Sequence, residues 1–103
     1  MVAEPVIHRC AKSLLEASPP GTQVVLFGSY ARGDARPGSD LDFLVIQPQV
    51  GSRLAEAARL ARVIRPLRMP ADIVVIGRDD YEKWKDAPST VFFYAHREGR
   101  VVA

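Results

Sequence analysis

Residues 28–42 read GSYARGDARPGSDLD, in which a Gly-Ser pair closes one apolar run and an Asp-x-Asp pair opens the next, with ten residues between Ser29 and Asp40. Side chains in an extended strand alternate between faces, so Asp40 and Asp42 project from the same face and can share a divalent cation. Leu41 between them points the other way, into a core. A third carboxylate, Asp72, begins another apolar run, ADIVVI. If that run pairs beside the second one, three acids converge. Clustered carboxylates raise one another's pKa unless a cation compensates them, so the combination points to a metal site. Taken singly, a Gly-Ser after a strand is an ordinary turn and an Asp-x-Asp an ordinary edge or capping pair.

Gly28 would let the backbone approach a phosphate closely. Ser29 offers a hydroxyl at the start of a short helix, Tyr30 to Gly33, whose free N–H groups would point at the same anion. No Gly-Lys-Ser/Thr follows, so this is not a P-loop. Arg32 suits a forked phosphate contact, and equally a solvent-facing position on a one-turn helix. Asp34 to Ser39 (DARPGS) reads as a turn that sets the distance between the phosphate grip and the metal grip.

GSYARG followed by SDLDFLV resembles the nucleotidyltransferase signature of the DNA polymerase β superfamily, and within it the minimal nucleotidyltransferases that accompany HEPN toxins. The resemblance runs from the helix before the first strand to the REGRVV ending. It implies an α/β nucleotidyltransferase fold, with a mixed sheet of three to four strands and helices packed on one side. It implies Asp40, Asp42 and Asp72 as catalytic and metal-binding residues, with Mg²⁺ in a two-ion site and ATP as substrate. Asp72 would bind the catalytic metal and help deprotonate the incoming hydroxyl. Gly28, Ser29, Arg32, Gly33 and Ser39 form the candidate nucleotide-binding set. The implied reaction transfers AMP from ATP to a hydroxyl, a tyrosine, of a cognate HEPN RNase toxin, and this chain would be the antitoxin in a hetero-oligomer. A non-catalytic antitoxin that acts by contact is the alternative, and a transferase for a small molecule stands behind both.

The elements that must position these residues follow from periodicity. Ile7, Cys10, Ala11, Leu14 and Leu15 fall on one helical stripe that ends before Pro19-Pro20-Gly21. Gln23 to Phe27, Leu41 to Ile46 and Asp72 to Ile76 are strands rich in β-branched and aromatic residues. Ala57, Leu60, Ala61 and Ile64 mark a helix between the second and third strands. Asp79 and Glu82 suggest a capping box opening a short helix with Tyr81 and Trp84. Ser89 to Glu98 forms a last helix stopped by Gly99, and Arg100 to Val102 a short edge strand.

At 103 residues with 48% hydrophobic content, the chain fits a single domain, residues 1–103. It has no long apolar run and no signal peptide, which makes a cytoplasmic protein without membrane association the expectation. It leaves no residues for an acceptor-binding domain, so the acceptor pocket is expected from another chain. Fourteen basic against twelve acidic residues give a net charge of +2, too little to predict direct nucleic-acid binding. Arg59, Arg62, Arg65 and Arg68 form either a solvated face or a basic one. His8 and His96 are isolated from any metal-ligand spacing. Cys10 has no partner for a disulfide and lies on the apolar stripe, as a buried thiol would. Phe92, Phe93 and Tyr94 are divided between core packing and a partner surface.

Overall fold

The computed structural model describes residues 1–103. In chain order the elements are α1 (Glu4–Glu16), β1 (Gln23–Phe27), α2 (Ser29–Arg32), β2 (Leu41–Gln47), α3 (Arg53–Ile64), β3 (Ala71–Gly77), α4 (Arg78–Trp84), α5 (Val91–Glu98) and β4 (Arg100–Val101). The sheet order is β3-β2-β1-β4, with β1 antiparallel to both β2 and β4, and β2 parallel to β3. A parallel pair needs a crossover, and α3 supplies it.

Both faces of the sheet are covered, which corrects the expectation of helices on one side. Val24, Leu26, Leu41, Phe43, Val45 and Val75 pack with Ile7, Cys10, Ala11 and Leu14 of α1 and with Leu60 and Ile64 of α3. On the opposite face Val25, Leu44, Ile46 and Ile76 pack with Tyr81 of α4 and with Phe92 and Ala95 of α5. The physical sign of this is in β2, whose run FLVI is apolar at consecutive positions and fully buried, as strands covered on both faces are. Cys10 is fully buried, and burial pushes its thiol pKa up.

Helix starts differ in detail from their sequence signals. Ser52 caps α3, accepting from Ala55 N–H at 3.2 Å, and Thr90 caps α5, accepting from Phe93 N–H at 3.3 Å. The last helix therefore begins at Val91 rather than Ser89. The Asp79–Glu82 capping box does not form. Strand β3 runs directly into α4 through Gly77, which leaves Asp79 already inside the first turn, and Glu82 pairs with Lys85 at 2.7 Å.

The far end of β2 is tied down by polar contacts. Buried Gln47 donates to Glu56 at 2.7 Å and to Ser18 at 3.2 Å, and Arg59 joins Glu56 to the Ala17 carbonyl at the end of α1. Arg59 thus serves the fold rather than a free basic face. Its guanidinium, with help from Gln47, holds the Glu56 carboxyl down to about 2. At the chain's end, Gly99 passes hard against β1: a Cβ there would overlap the Ala95 carbonyl and Val25, so only glycine admits the return into β4. Arg100 pairs with Glu4, joining β4 to α1.

Candidate active site

The sheet register assembles the site. Phe27, the last residue of β1, stands opposite Asp42, and Asp42 stands opposite Asp72 on β3. Neighbouring strands lie about 4.8 Å apart, so residues in register share a face and nearly touch. Leu41 is fully buried on the α1/α3 face. Asp42 therefore emerges on the other face, the one lined by Leu44 and Ile46 further along the strand. Asp40 extends the same strand backward toward solvent. The Leu41 N–H donates to the Pro70 carbonyl at 2.8 Å, keeping the entries to β2 and β3 side by side.

Asp42 feels the charge of both other acids. Asp42 is half-buried, while Asp40 and Asp72 are exposed. Burial pushes the Asp42 pKa up first, the charge of Asp72 adds to this, and that of Asp40 adds further; the Arg32 guanidinium works in the opposite direction. The acids do not close into a ready-made cage, since no group of three or more His, Cys, Asp or Glu is placed to hold a metal by itself. This donor set fits magnesium, which takes one or two carboxylates and completes its octahedron with water and substrate phosphate.

Gly28 is built against these acids. Its backbone has φ 75° and ψ −156°, a region open essentially to glycine alone. A Cβ at this position would overlap Asp42 Oδ2 and come within 3.0 Å of the carboxyl carbon. The glycine thus turns the chain out of β1 while leaving room for the half-buried carboxylate. Ser29 then begins α2, whose first turn leaves N–H groups without intrahelical acceptors. Gly33 ends this helix in the left-handed conformation, φ 84°, its N–H spent on the Ser29 carbonyl at 3.0 Å. Ser39 Oγ accepts from Arg36 N–H at 3.0 Å, closing the turn before Asp40.

Of the residues expected at the site, the sheet brings Asp40, Asp42 and Asp72 together with Gly28. Arg32 is close enough to influence Asp42, but its guanidinium donates to Asp34 at 3.2 Å and to Glu98 at 3.3 Å. The Gly33 N–H and the Ser39 N–H and hydroxyl are engaged in local turns. Glu98 and Phe27 are neighbours that sequence reading missed. Glu98 reaches Arg32 across 66 positions of chain, and no local pattern announces such a contact. Phe27 was legible in principle, as the strand residue just before the glycine.

A family model described as the nucleotidyltransferase domain matches residues 7–95. The chain belongs to that family. Solved structures share the fold of this nucleotidyltransferase domain. A toxin–antitoxin complex with AMP-PNP is 24% identical, with a TM-score of 0.61 and an alignment covering 93% of this chain and 72% of that one. A putative nucleotidyltransferase from Sulfolobus solfataricus is 18% identical, at a TM-score of 0.61, with 94% and 76% covered. A tri-AMPylated Shewanella oneidensis HEPN toxin in complex with MNT antitoxin is 17% identical, at a TM-score of 0.60, with 98% and 72% covered. No curated protein gives a significant sequence match. No helix of this nucleotidyltransferase domain is long and apolar enough to cross a membrane.

Proposed function

We propose that this domain is a magnesium-dependent protein adenylyltransferase that transfers AMP from ATP to a tyrosine hydroxyl of a HEPN-domain toxin, and so acts as its antitoxin. The observation that carries this reading is Asp42, half-buried between the Gly28 backbone and Asp72 in a face otherwise apolar. A carboxylate held there is disfavoured by burial and by two neighbouring acids, and a divalent cation is what would relieve it. The family assignment supplies the reaction class. The relatives described as holding AMP-PNP and an AMPylated HEPN toxin support the nucleotide and the acceptor.

In this reading Asp40 and Asp42 would hold magnesium, and Asp72 would add a further ligand as the site closes on metal and nucleotide. Bound there, the metal would neutralise phosphate charge and favour the ionised acceptor oxygen. The chain's own groups do the positioning, which is most of what phosphoryl-type transfer asks of a protein. Gly28 keeps the backbone low beside the acids, and Ser29 and the first turn of α2 face the triphosphate. Asp72 lies on the outer strand, where an acceptor hydroxyl can approach and lose its proton to the carboxylate. The acceptor oxygen forms a bond to the α-phosphorus, the bond to the β-phosphate bridge breaks, and pyrophosphate leaves with that electron pair. Arg32 joins the phosphates by exchanging Asp34 and Glu98 for them.

Asp40→Asn and Asp42→Asn test the reading. Both variants should fold, yet neither should transfer AMP nor protect cells from the toxin. Full protection by either variant would establish neutralisation by contact instead.

A further inference from the structure

The sheet has two edges, and they are finished differently. Strand β4 is only Arg100–Val101, a short and charged edge. Strand β3 spans Ala71–Gly77 and pairs on one side only. Between Asp72 and Arg78 it carries no charge and no proline, the devices that usually block an edge from pairing.

Two cavities flank this edge. One, of about 170 Å³, is lined by Arg53, Leu54 and Ala57 of α3 and by Ile73, Val74 and Val75 of β3. Ile73 and Val74 pack on opposite faces of the sheet, so the groove follows the strand's rim rather than either face. The other, of about 370 Å³, lies on the α4/α5 face among Arg53, Ile76, Asp80, Trp84, Thr90 and Phe92. Leu54 is 86% exposed and Trp84 49%, large apolar side chains at the two cavities. Arg53 lines both. Its guanidinium sits 5.7 Å from the Phe92 ring centre and has no carboxylate partner within the chain.

We propose that the β3 edge receives an extended segment of the acceptor protein as a fifth strand, with apolar side chains on the α3 side and a carboxylate at Arg53. Added strands gain affinity from main-chain hydrogen bonds and specificity from pockets that take alternate side chains. The two cavities and the unpaired cation supply those pockets and a charge preference. The proposal rests on the acceptor being a protein, and it specifies how that protein is held. A segment paired along β3 ends beside Asp72, where the strand begins, and so delivers a hydroxyl to the acids. A second copy of this chain fits less well, because antiparallel self-pairing about Val74 would lay Ile76 of one copy against Asp72 of the other.

The test uses a synthetic peptide of about ten residues, the length of a long strand, alternating valine with threonine and glutamate and ending in tyrosine. Amide exchange across residues 71–77 should slow when the peptide binds. Arg53→Glu, Leu54→Asp, or lysine in place of the peptide's glutamates should each weaken binding at least about tenfold, the scale of losing an interfacial pair. Exchange unchanged over residues 71–77, or equal affinity for the lysine peptide, would overturn the proposal. So would protection of this strand that grows with the chain's own concentration in the absence of peptide. AMP transfer to the peptide is scored separately. Protection of β3 without transfer would uphold the docking edge and count against adenylyl transfer, and transfer without protection would do the reverse.

Discussion

Replacing Gly28 by alanine tests whether this glycine exists to make room for Asp42. Two penalties add. At φ 75° and ψ −156° a Cβ is sterically disfavoured, at about 1–3 kcal/mol. The new methyl also overlaps Asp42 Oδ2, and relieving this by moving either strand end adds about 1–3 kcal/mol more. Gly28→Ala should therefore lower unfolding free energy by about 2–6 kcal/mol, the sum of the two. The penalties separate in a double-mutant cycle, because Asp42→Ala removes the overlapping carboxyl while leaving the backbone penalty in place. Urea denaturation of wild type, both single variants and the double should show a coupling of about 1–3 kcal/mol, with the double variant more stable than the singles predict. Additivity within about 0.5 kcal/mol would refute the contact and reduce Gly28 to an ordinary turn glycine.

Asp42→Asn should lower AMP transfer by at least about a hundredfold, the scale of removing one preorganised electrostatic group, when incorporation of labelled AMP is followed. The same variant should raise the melting temperature in the absence of divalent ions. The folded-state pKa of Asp42 is raised, so its ionisation destabilises the fold at neutral pH and the penalty disappears below the unfolded value of 3.8. The gain should be present at pH 7 and absent near pH 3, as thermal unfolding at both pH values will show. Magnesium should stabilise wild type and leave Asp42→Asn unmoved, and chelation should reverse the shift. Glu56 behaves oppositely, because Arg59 holds its carboxyl down to about 2 from 4.5. Its stabilising contribution is complete above the unfolded value and is lost as pH falls through the folded one. After allowance for solvent screening it amounts to about 1–2 kcal/mol, which Glu56→Gln should remove at pH 7 in urea titrations. Cys10, buried and with a raised pKa, should react with a thiol reagent only at the rate of unfolding.

The sequence disclosed most of what lies along the strands. Asp-x-Asp at a strand start, Leu41 between the acids, and Asp72 opening the next apolar run led to the acid face because strand alternation is a local rule. The register of Asp42 against Asp72 meets the condition on which the acids converge. Sidedness was harder to read, since a helix stripe shows that a helix buries a face without showing which face of the sheet receives it. The consecutive burial of Phe43, Leu44, Val45 and Ile46 held that information. The Asp79–Glu82 pattern misled because capping depends on where the helix begins, and Gly77 starts it earlier. The contact of Arg32 with Glu98 was out of reach, as it depends on α5 returning over the front of the sheet.

On the proposed reading, the acids serve AMP transfer to a protein. Intact-mass spectrometry of a HEPN-domain protein that co-purifies with this chain, after incubation with the chain, ATP and magnesium, tests this most directly, with Asp40→Asn as the control. Mass gains in whole AMP units with wild type and none with the variant are the predicted result. An unmodified toxin held in a stable, inactive complex by either form would contradict the claim.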